Sequence, residues 1–256
     1  MTARVTVLLV DLGNTALKWS TSEFPGEPHT YVHAGSSILS EELIRQWLSL
    51  RPSRVFGCMV SSEALALSLT KFFNRQQIHW EWLQSEKVFK GPFCLKNGYD
   101  NYKQLGSDRW YAAIGAASLF PNKALLIAQI GTATTVDTVL PDRSGMIFLG
   151  GRILAGPSLM ISSLTGATQC KYSEPGKQEA FPLNTVDAIS TGIIEAHLGV
   201  FEHACRAVRE KGFEPQIVFA GGAAPLLAPY ITQAFPGAVQ KHNLVLHGLA
   251  LRSKLD

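Results

Sequence analysis

The chain contains two similar strand-and-turn motifs about 120 residues apart, and this duplication limits the possible folds more than any other feature of the sequence. The first is the apolar run 7–10 with a turn at Gly13, and the second is the run 125–130, apolar except for Gln129, with a turn at Gly131. A short apolar run that ends in a turn predicts a buried strand, and glycine lets backbone amides approach an anion closely. Two such turns facing one cleft would hold a polyphosphate from both sides, so the sequence predicts a duplicated nucleotide-binding fold.

Size and charge agree with an enzyme that acts on small molecules. The chain has 256 residues, enough for one large domain or two of ordinary size, and 46% of them are hydrophobic, which can build a substantial core. The formal charge is only +3 and the basic residues are scattered. Because a nucleic-acid surface usually needs a stripe of basic side chains, we expect no nucleic-acid partner.

The cysteines and the first apolar run indicate a cytoplasmic protein. The four cysteines form no C-x-x-C pair, have no histidine at metal-ligand spacing and are predicted to be buried thiols in a reducing compartment: Cys58, Cys94, Cys170 and Cys205. The seven histidines match no helical metal pair, so we predict structural or surface roles for them. The first apolar run is too short for a secretory signal or a membrane span, and we expect no membrane partner.

Apolar periodicity and turn residues predict strands and helices in both halves of the chain. In the first half we predict strands near 5–11, 16–21, 29–34 and 54–60, and helices near 40–49, 62–75 and 105–120. In the second half we predict strands near 124–130, 134–140, 146–153 and 216–220, and helices near 157–165, 184–211 and from 223 onward. The expected boundary near Pro121 gives two α/β lobes, 1–120 and 121–256, packed around a cleft.

The first turn places a carboxylate at a strand end and a lysine in the return strand; it reads Asp11-Leu12-Gly13-Asn14-Thr15-Ala16-Leu17-Lys18. This order suits nucleotide chemistry with Mg²⁺, because Asp11 would hold the metal, directly or through water, while Asn14, Thr15 and backbone amides bind phosphate oxygens. The alternative is an ordinary hairpin whose Asp-x-Gly-Asn turn supplies only left-handed backbone geometry. The motif alone leaves both open, and the second turn favours nucleotide binding.

The second turn, Gly131-Thr132-Ala133-Thr134-Thr135-Val136-Asp137, offers several hydroxyls and a glycine amide. Thr132 is the best candidate for a phosphate contact. Side chains alternate along the outgoing strand, so either Thr135 with Asp137 or Thr134 with Val136 can face the cleft, but not both pairs. Strand propensity alone accounts for some of the threonines after the turn, but not for the Gly131-Thr132 pair.

A third group combines Tyr99 with the run Gly106-Ser107-Asp108-Arg109, where an acid and a guanidinium are adjacent at the start of a predicted helix. Asp108 is suited to accept a proton from a substrate hydroxyl, and Arg109 is suited to hold an anionic group. The alternative is that Asp108 caps the helix and Arg109 forms a surface ion pair. This segment alone does not establish an enzyme.

Taken together, the motifs resemble those of the type III pantothenate kinases, bacterial enzymes of the acetate and sugar kinase, Hsp70 and actin superfamily. The resemblance runs nearly end to end and depends on these motifs in order: Asp11 to Thr15 with Lys18, Asn97-Gly98-Tyr99, Gly106 to Arg109, Gly131 to Asp137, Gly150-Gly151, Thr185 before Gly192, and Gly221-Gly222. It implies two ribonuclease-H-like lobes, an actin-like duplication with an interlobe cleft. It also implies ATP-dependent phosphorylation of pantothenate to 4′-phosphopantothenate, the first step of coenzyme A biosynthesis.

The resemblance also implies roles for individual residues. ATP with Mg²⁺ would be bound by Thr132 and by the first turn, which comprises Asp11, Leu12, Gly13, Asn14, Thr15, Ala16, Leu17 and Lys18. Pantothenate would be bound by Tyr99, Gly106, Ser107, Asp108 and Arg109, with Asp108 as the general base. Thr185 matches a substrate-contacting threonine that this family supplies across a homodimer interface.

The chain departs from the family pattern at Gln129, which leaves its need for a monovalent cation open. Many family members have an aspartate, tied to an activating K⁺ or NH₄⁺, where this chain has Gln129; a neutral amide can coordinate a cation but supplies no charge. Two other functions are also open. The chain could instead be a non-catalytic nucleotide-binding accessory or regulatory protein, or a kinase for a sugar or a carboxylate. Intact Asp11, Asp108 and Arg109 favour catalysis, and the segment with Tyr99 favours pantothenate.

Overall fold

A computed structural model describes residues 6–60, 63–172 and 174–255 of the chain. Its strands are β1 Val7–Leu12, β2 Ala16–Thr21, β3 His29–Val32, β4 Arg54–Met59, β5 His79–Trp82, β6 Val88–Lys90, β7 Cys94–Asn97, β8 Ala124–Ile130, β9 Ala133–Asp142, β10 Gly145–Ala155, β11 Pro215–Ala220 and β12 Val239–Gln240. Its α-helices are α1 Glu41–Leu50, α2 Glu63–Arg75, α3 Ser107–Leu119, α4 Pro157–Ala167, α5 Thr185–Arg209, α6 Ala224–Ala234 and α7 Leu244–Arg252.

The chain divides into two compact units. The first comprises residues 6–121, 142–148 and 243–255 of the described chain, and the second comprises residues 122–141 and 149–242. The main division, between Pro121 and Asn122, lies beside the boundary expected from the sequence. The units differ from the expected lobes because 142–148 and the C-terminal segment group with the first unit.

The first unit is built on a five-stranded sheet in the order β3-β2-β1-β4-β5. Strand β1 is antiparallel to β2 and parallel to β4, and β4 is parallel to β5. Leu8, Leu9 and Val10 of β1 are completely buried, as expected for a central strand that is covered on both faces. An antiparallel meander followed by parallel strands is the arrangement of a ribonuclease-H-like sheet.

Helix α7 belongs to the first unit because it packs closely against α3. A Cβ atom added to Gly115 of α3 would lie 2.1 Å from the carbonyl oxygen of Leu244, and one added to Gly248 of α7 would lie 2.0 Å from that of Tyr111. The two glycines therefore let the helix backbones touch, at a separation that side chains would prevent. This packing joins the end of the chain to the segment that carries Asp108.

The second unit repeats the strand order of the first. Its order β10-β9-β8-β11-β12 corresponds to β3-β2-β1-β4-β5, with β8 antiparallel to β9 and parallel to β11. The first residues of β10 lie in the first unit, where 146–148 pair in parallel with β7. The predicted duplication of a strand-and-turn motif is therefore a duplication of the order of five strands.

Most predicted elements are present with small shifts at their ends. Strands β2 and β8 have the predicted bounds, whereas β5, β6, β7, β12 and α7 were not predicted. Position 5, at the start of the first predicted strand, and position 62, at the start of a predicted helix, lie outside the described residues.

All four cysteines were predicted to be buried. Cys58 and Cys205 are buried, whereas Cys94 and Cys170 are partly exposed. Across the described parts of the chain, no helix is both long enough and apolar enough to cross a membrane.

Candidate active site

The first turn, between β1 and β2, is formed as the sequence predicts. The backbone N–H of Gly13 donates to the carbonyl of Ala16 at 3.1 Å and closes the turn, leaving Asn14 and Thr15 exposed at its tip. Asp11 and Lys18 are directly opposite each other in the antiparallel pair, so their side chains lie on the same face of the sheet. The side chains of Leu12 and Leu17 are completely buried, so only the backbone of these two residues can contact a nucleotide.

Asp11 lies at the centre of a small charged cluster in the first unit. Burial of its carboxyl group raises the pKa of Asp11 to about 6; the negative charge of Asp108 acts in the same direction and the positive charge of Lys18 opposes it. The neighbouring strand supplies Cys58, whose Sγ donates to Oδ1 of Asp11 at 3.7 Å. Burial also raises the pKa of the Cys58 thiol, which keeps it a neutral donor.

Asp108 lies in the first turn of α3, where its carboxylate accepts hydrogen bonds from the backbone N–H groups of Asp108 itself and of Arg109. These bonds lower the pKa of Asp108, but burial outweighs them and the net shift is upward. A Cβ atom added to Gly106 would lie 2.6 Å from Oδ1 of Asp108. Gly106 is therefore the residue that makes room for this carboxylate. The hydroxyl of Ser107 donates to the carbonyl of Met59 at 3.4 Å, which ties α3 to the end of β4.

Arg109 is buried, with 5% of its surface exposed. Its Nη1 donates to the phenol oxygen of Tyr99 at 2.9 Å, and its guanidinium carbon lies 5.7 Å and 5.8 Å from the ring centres of Tyr99 and Phe148. Arg109 therefore does not lie at the surface, as the alternative of a surface ion pair requires, and its guanidinium group lies near two aromatic rings. Asn97 fixes the loop, since its Oδ1 accepts from the backbone N–H of Tyr99 at 3.1 Å.

The structure thus brings several predicted residues together within the first unit: Asp11, Lys18, Tyr99, Gly106, Ser107, Asp108 and Arg109. It also adds Cys58 and Phe148, which sequence reasoning missed. Cys58 carried a weak signal, because it lies in a predicted strand, but its register against Asp11 depends on a parallel pairing between distant segments. Phe148 reaches Arg109 through the pairing of β10 with β7, and β7 was not predicted.

The second turn, in the second unit, lies against the N-termini of two helices. The backbone N–H of Gly156, which precedes α4, donates to the carbonyl of Thr132 at 2.9 Å, and a Cβ atom at Gly156 would overlap the carbonyl oxygen of Gly131. The backbone N–H of Ala223, which precedes α6, donates to the carbonyl of Ile130 at 3.0 Å. Helix N-termini carry a positive partial charge. The N-termini of α4 and α6 beside the second turn therefore suit the binding of a phosphate group near the exposed Thr132.

The threonines after the second turn have different surroundings. Thr134 is completely buried and its hydroxyl lies 3.0 Å from Nε2 of His197, while Nδ1 of His197 lies 2.8 Å from the carbonyl of Ile193. Because a carbonyl only accepts, Nδ1 carries the proton and Thr134 donates to Nε2. Burial lowers the pKa of His197, in keeping with a neutral ring. Thr134 is thus structural, and the prediction of a structural role is met at this histidine.

Thr185 is the first residue of α5 and is exposed. The side chain of Asn184 accepts from the backbone N–H of Asp187 at 2.9 Å and fixes the helix start. Thr185 lines a cavity of about 630 Å³ between α4 and α5, whose other lining residues are mainly apolar. Gln129 is partly exposed near the end of β8.

The described residues contain no group of three or more His, Cys, Asp or Glu side chains that could hold a metal ion. A divalent ion at Asp11 would therefore need ligands from phosphate groups and water. This is the usual coordination of Mg²⁺ in nucleotide sites, where one or two carboxylates suffice. Burial and, to a smaller extent, the negative charge of Asp108 raise the pKa of Asp11, and the positive charge of a cation would offset the second of these effects. The residues present thus fit a magnesium–nucleotide complex.

Comparison with solved structures agrees with this architecture. The chain is similar to a protein from Campylobacter jejuni described as a Baf family transcriptional activator, with a TM-score of 0.62 and 21% identity over 97% of this chain and 98% of that one. It is also similar to a protein from Sinorhizobium meliloti described as a 2-dehydro-3-deoxygalactonokinase, with a TM-score of 0.51 and 12% identity over 97% and 99% of the two chains. These likenesses concern the fold alone, and they confirm the predicted α/β fold class of two ribonuclease-H-like lobes.

Comparison of sequences identifies the family. The family model for type III pantothenate kinase matches residues 7–207. A type III pantothenate kinase from Herminiimonas arsenicoxydans is 38% identical over 261 aligned positions, which cover 95% of each chain. The family resemblance predicted from the motifs is therefore confirmed, and the chain belongs to the type III pantothenate kinase family.

Proposed function

We propose that the chain transfers the γ-phosphoryl group of ATP to the primary hydroxyl of pantothenate, giving 4′-phosphopantothenate in the first step of coenzyme A biosynthesis. The observation that carries this proposal is the cluster in the first unit, where Asp11 interacts electrostatically with Asp108 and Lys18, and Arg109 follows Asp108 on α3. Phosphoryl transfer depends mainly on positioning and on charge neutralisation, and this cluster provides groups for both. Family membership makes the chain a kinase and disfavours the non-catalytic alternative.

Asp108 is the proposed general base. Its carboxylate accepts the proton of the pantothenate hydroxyl as the new bond forms between that oxygen and the γ-phosphorus, while the bond from the γ-phosphorus to the bridging oxygen breaks and ADP leaves. The hydrogen bonds from the start of α3 fix the orientation of the carboxylate, and burial raises its pKa, which makes it a better proton acceptor than a solvated aspartate. Gly106 keeps the space around Oδ1 open.

Arg109 and Tyr99 form the proposed binding site for the carboxylate of pantothenate. The guanidinium is held by the Tyr99 hydroxyl and lies against two aromatic rings, so its orientation is fixed before the substrate arrives. A planar guanidinium matches a carboxylate in shape and charge better than a lysine does. This arrangement favours pantothenate over a neutral hexose as the acceptor.

ATP would be bound by the backbone of the first turn, by Lys18 and by Thr132 of the second turn. Asp11 would hold Mg²⁺, directly or through water, and that ion would neutralise charge on the phosphates. The side-chain oxygen of Gln129 is a candidate ligand for K⁺ or NH₄⁺, and assays with and without each cation test this assignment. Free thiols at all four cysteines support a reducing compartment, so we assign the activity to the cytoplasm.

We also propose a homodimer in which Thr185 contacts the pantothenate bound by the partner subunit. The second unit exposes several large apolar side chains, including Ile153 at 64%, Phe181 at 87% and Leu183 at 96% of their surface. These side chains and the largely apolar cavity between α4 and α5 offer apolar area that a second copy can bury.

The dimer has a direct test. Asp108→Asn and Thr185→Ala subunits are each expected to be nearly inactive alone. After mixing and subunit exchange, about half of the dimers are mixed, and one of the two sites in each mixed dimer has both residues intact, so about a quarter of full activity should return. If Thr185 acts within its own subunit, mixing restores nothing.

The reaction itself is tested by measuring ATP consumption with pantothenate, acetate and common hexoses. Turnover with pantothenate alone supports the proposal; turnover with a hexose or acetate would replace it with another kinase activity. Asp108→Asn should lower kcat by about a hundredfold or more and change ATP affinity little, because the base acts on the acceptor hydroxyl. Asp100→Asn, at an exposed aspartate in the preceding loop, is the matched control and should leave kcat unchanged.

A further inference from the structure

His33 follows β3 and lies against the first turn. It is almost completely buried, with 4% of its surface exposed, although neighbouring residues of β3 are largely exposed. Its ring has two backbone partners: Nε2 lies 3.0 Å from the carbonyl oxygen of Gly13, and the backbone N–H of Gly35 donates to Nδ1 at 3.1 Å. A histidine predicted to be structural therefore contacts the turn that we assign to ATP.

The two partners determine which ring nitrogen carries the proton. A backbone N–H only donates and a carbonyl oxygen only accepts, so Nδ1 must be the acceptor and Nε2 must be the donor. The loop supports this arrangement because Ala34 and Gly35 both have left-handed backbone geometry, with φ of +46° and +86°. These dihedral angles turn the N–H of Gly35 back toward the ring. His33 is thus held as one defined tautomer.

The backbone of the same segment also holds the turn. The N–H groups of His33 and Ala34 both donate to the carbonyl of Thr15 at 3.1 Å. The carbonyls of Gly13 and Thr15 are therefore both bound from this segment. In a trans peptide the carbonyl and the following N–H point in opposite directions, so fixing the Gly13 carbonyl toward His33 directs the N–H of Asn14 away from it.

We propose that His33 is a positioning residue for nucleotide binding, which acts by holding the Gly13 carbonyl so that the N–H of Asn14 faces the phosphates. The ring does not contact the nucleotide. It removes an acceptor oxygen from the phosphate side of the turn and lowers the freedom of the loop before ATP binds. This inference rests on the proposed function, because it requires that the first turn binds ATP.

Two substitutions separate the two hydrogen bonds of the ring. The amide nitrogen of a glutamine can reach the position of Nε2, so His33→Gln keeps a donor to Gly13, whereas the oxygen of an asparagine can reach the position of Nδ1, so His33→Asn keeps only the acceptor for Gly35. We expect His33→Asn to weaken ATP binding about five- to tenfold, which is the effect of one lost hydrogen bond, and His33→Gln to weaken it less than about threefold. Direct titration with ATP, and KM values for ATP and pantothenate, measure both.

A merely structural role would change both variants alike and would affect both substrates. Equal ATP affinities of the two His33 variants, or a larger loss in His33→Gln, would therefore overturn the proposal. His29→Gln and His29→Asn, at the first residue of β3 and outside the turn, are the matched controls. Asp11→Asn tests the underlying assignment, because Asp11 is the proposed Mg²⁺ ligand of this turn: if that variant keeps the affinity for Mg²⁺–ATP of the wild type, the first turn does not bind ATP and the proposed function itself fails at this turn.

The tautomer of His33 can also be measured in the wild-type protein, so this test does not depend on how well the variants fold. Nitrogen-15 NMR of the imidazole rings distinguishes the two neutral tautomers of His33. The structure requires the proton on Nε2, with and without ATP. A proton on Nδ1 would place two donors face to face at Gly35 and would refute the arrangement from which the inference is drawn.

Discussion

Replacement of Asp11 by asparagine should make the free protein more stable while it removes nucleotide binding. The pKa of Asp11 is raised from 3.8 to about 6, so the folded protein favours the protonated carboxyl more than the unfolded chain does. The charged form therefore costs stability at every pH above about 6, and the cost disappears as the pH falls through 6 toward 3.8. An amide has the same shape and no charge, so Asp11→Asn removes this cost.

The size of the effect follows from the shift. A difference of about two pKa units corresponds to about 3 kcal/mol at about 1.4 kcal/mol per unit. Asp11 is partly exposed to solvent, and screening by water reduces the stability that such a charge can cost. We therefore expect Asp11→Asn to raise the free energy of unfolding by about 1–2 kcal/mol near pH 8 and by little near pH 4.

Urea unfolding of the nucleotide-free protein measures this difference directly. The midpoint of the variant should be higher than that of the wild type near pH 8, and the two should converge near pH 4. With saturating Mg²⁺ and ATP the order should reverse, because ligand binding stabilises only the protein that binds it. The reversal separates a functional carboxylate from one that merely destabilises the fold.

Asp142→Asn is a control that should change the stability of the protein in the opposite direction. Asp142 is partly exposed, and its hydrogen bonds, first of all the one from Lys96 at 2.9 Å, lower its pKa to about 2. A carboxylate of this kind adds stability above pH 3.8, and the stability is lost as the pH falls toward 2, so Asp142→Asn should destabilise the protein near pH 8. A loss of stability in Asp11→Asn near pH 8, or a gain that does not shrink toward pH 4, would refute the reasoning about Asp11.

Three further substitutions test the surroundings of the site. Gly106→Ala should lower kcat at least tenfold in steady-state assays, because the added Cβ would lie 2.6 Å from Oδ1 of Asp108 and displace the base; an unchanged kcat would show that the carboxylate can relocate without loss. Cys58→Ala should raise the KM for Mg²⁺–ATP about two- to fivefold by removing the donor to Asp11, while Cys58→Ser should keep a value close to the wild type; equal effects would exclude the hydrogen bond as the cause. Gly248→Ala should destabilise the protein by about 1–3 kcal/mol in urea unfolding, because its Cβ would overlap the backbone of α3; a stability equal to that of the wild type would show that α7 can shift away.

The sequence predicts best where a signal is local. Strands β2 and β8 have the predicted bounds, because their ends coincide with turn residues that interrupt an apolar pattern. Helix α7 has no such signal: Leu244, Val245, Leu246 and Leu249 are buried, and a helix that is apolar on most sides has no amphipathic period to detect. The short strands β5, β6 and β7 are stabilised by pairing with distant segments, which a window of neighbouring residues does not contain.

The candidate site shows the same division. The residues that would contact substrate, such as Asp11, Asp108 and Arg109, are readable because their chemistry is uncommon at a strand end or a helix start. The residues that support them cannot be predicted from the sequence. Phe148 and Cys58 reach the site through the register of the sheets, and His33 reaches it through a tertiary contact with Gly13. Supporting residues are chosen by geometry, and apolar or weakly polar side chains carry no distinctive pattern.

The electrostatics of the first unit explain why such support is needed. Asp11 and Asp108 influence each other in a partly buried environment, and Lys18 only partly offsets the cost of ionising Asp11. A carboxylate whose ionisation lowers the stability of the free protein will rotate or take up a proton unless neighbouring groups hold it in place. The thiol of Cys58 donates to Asp11, while Asp108 interacts with the backbone N–H groups at the start of α3 and with the positive charge of Arg109; each of these interactions lowers a pKa that burial has raised. They therefore favour the ionised form of both carboxylates, which keeps Asp11 available for a metal-bound nucleotide and Asp108 available for the acceptor hydroxyl.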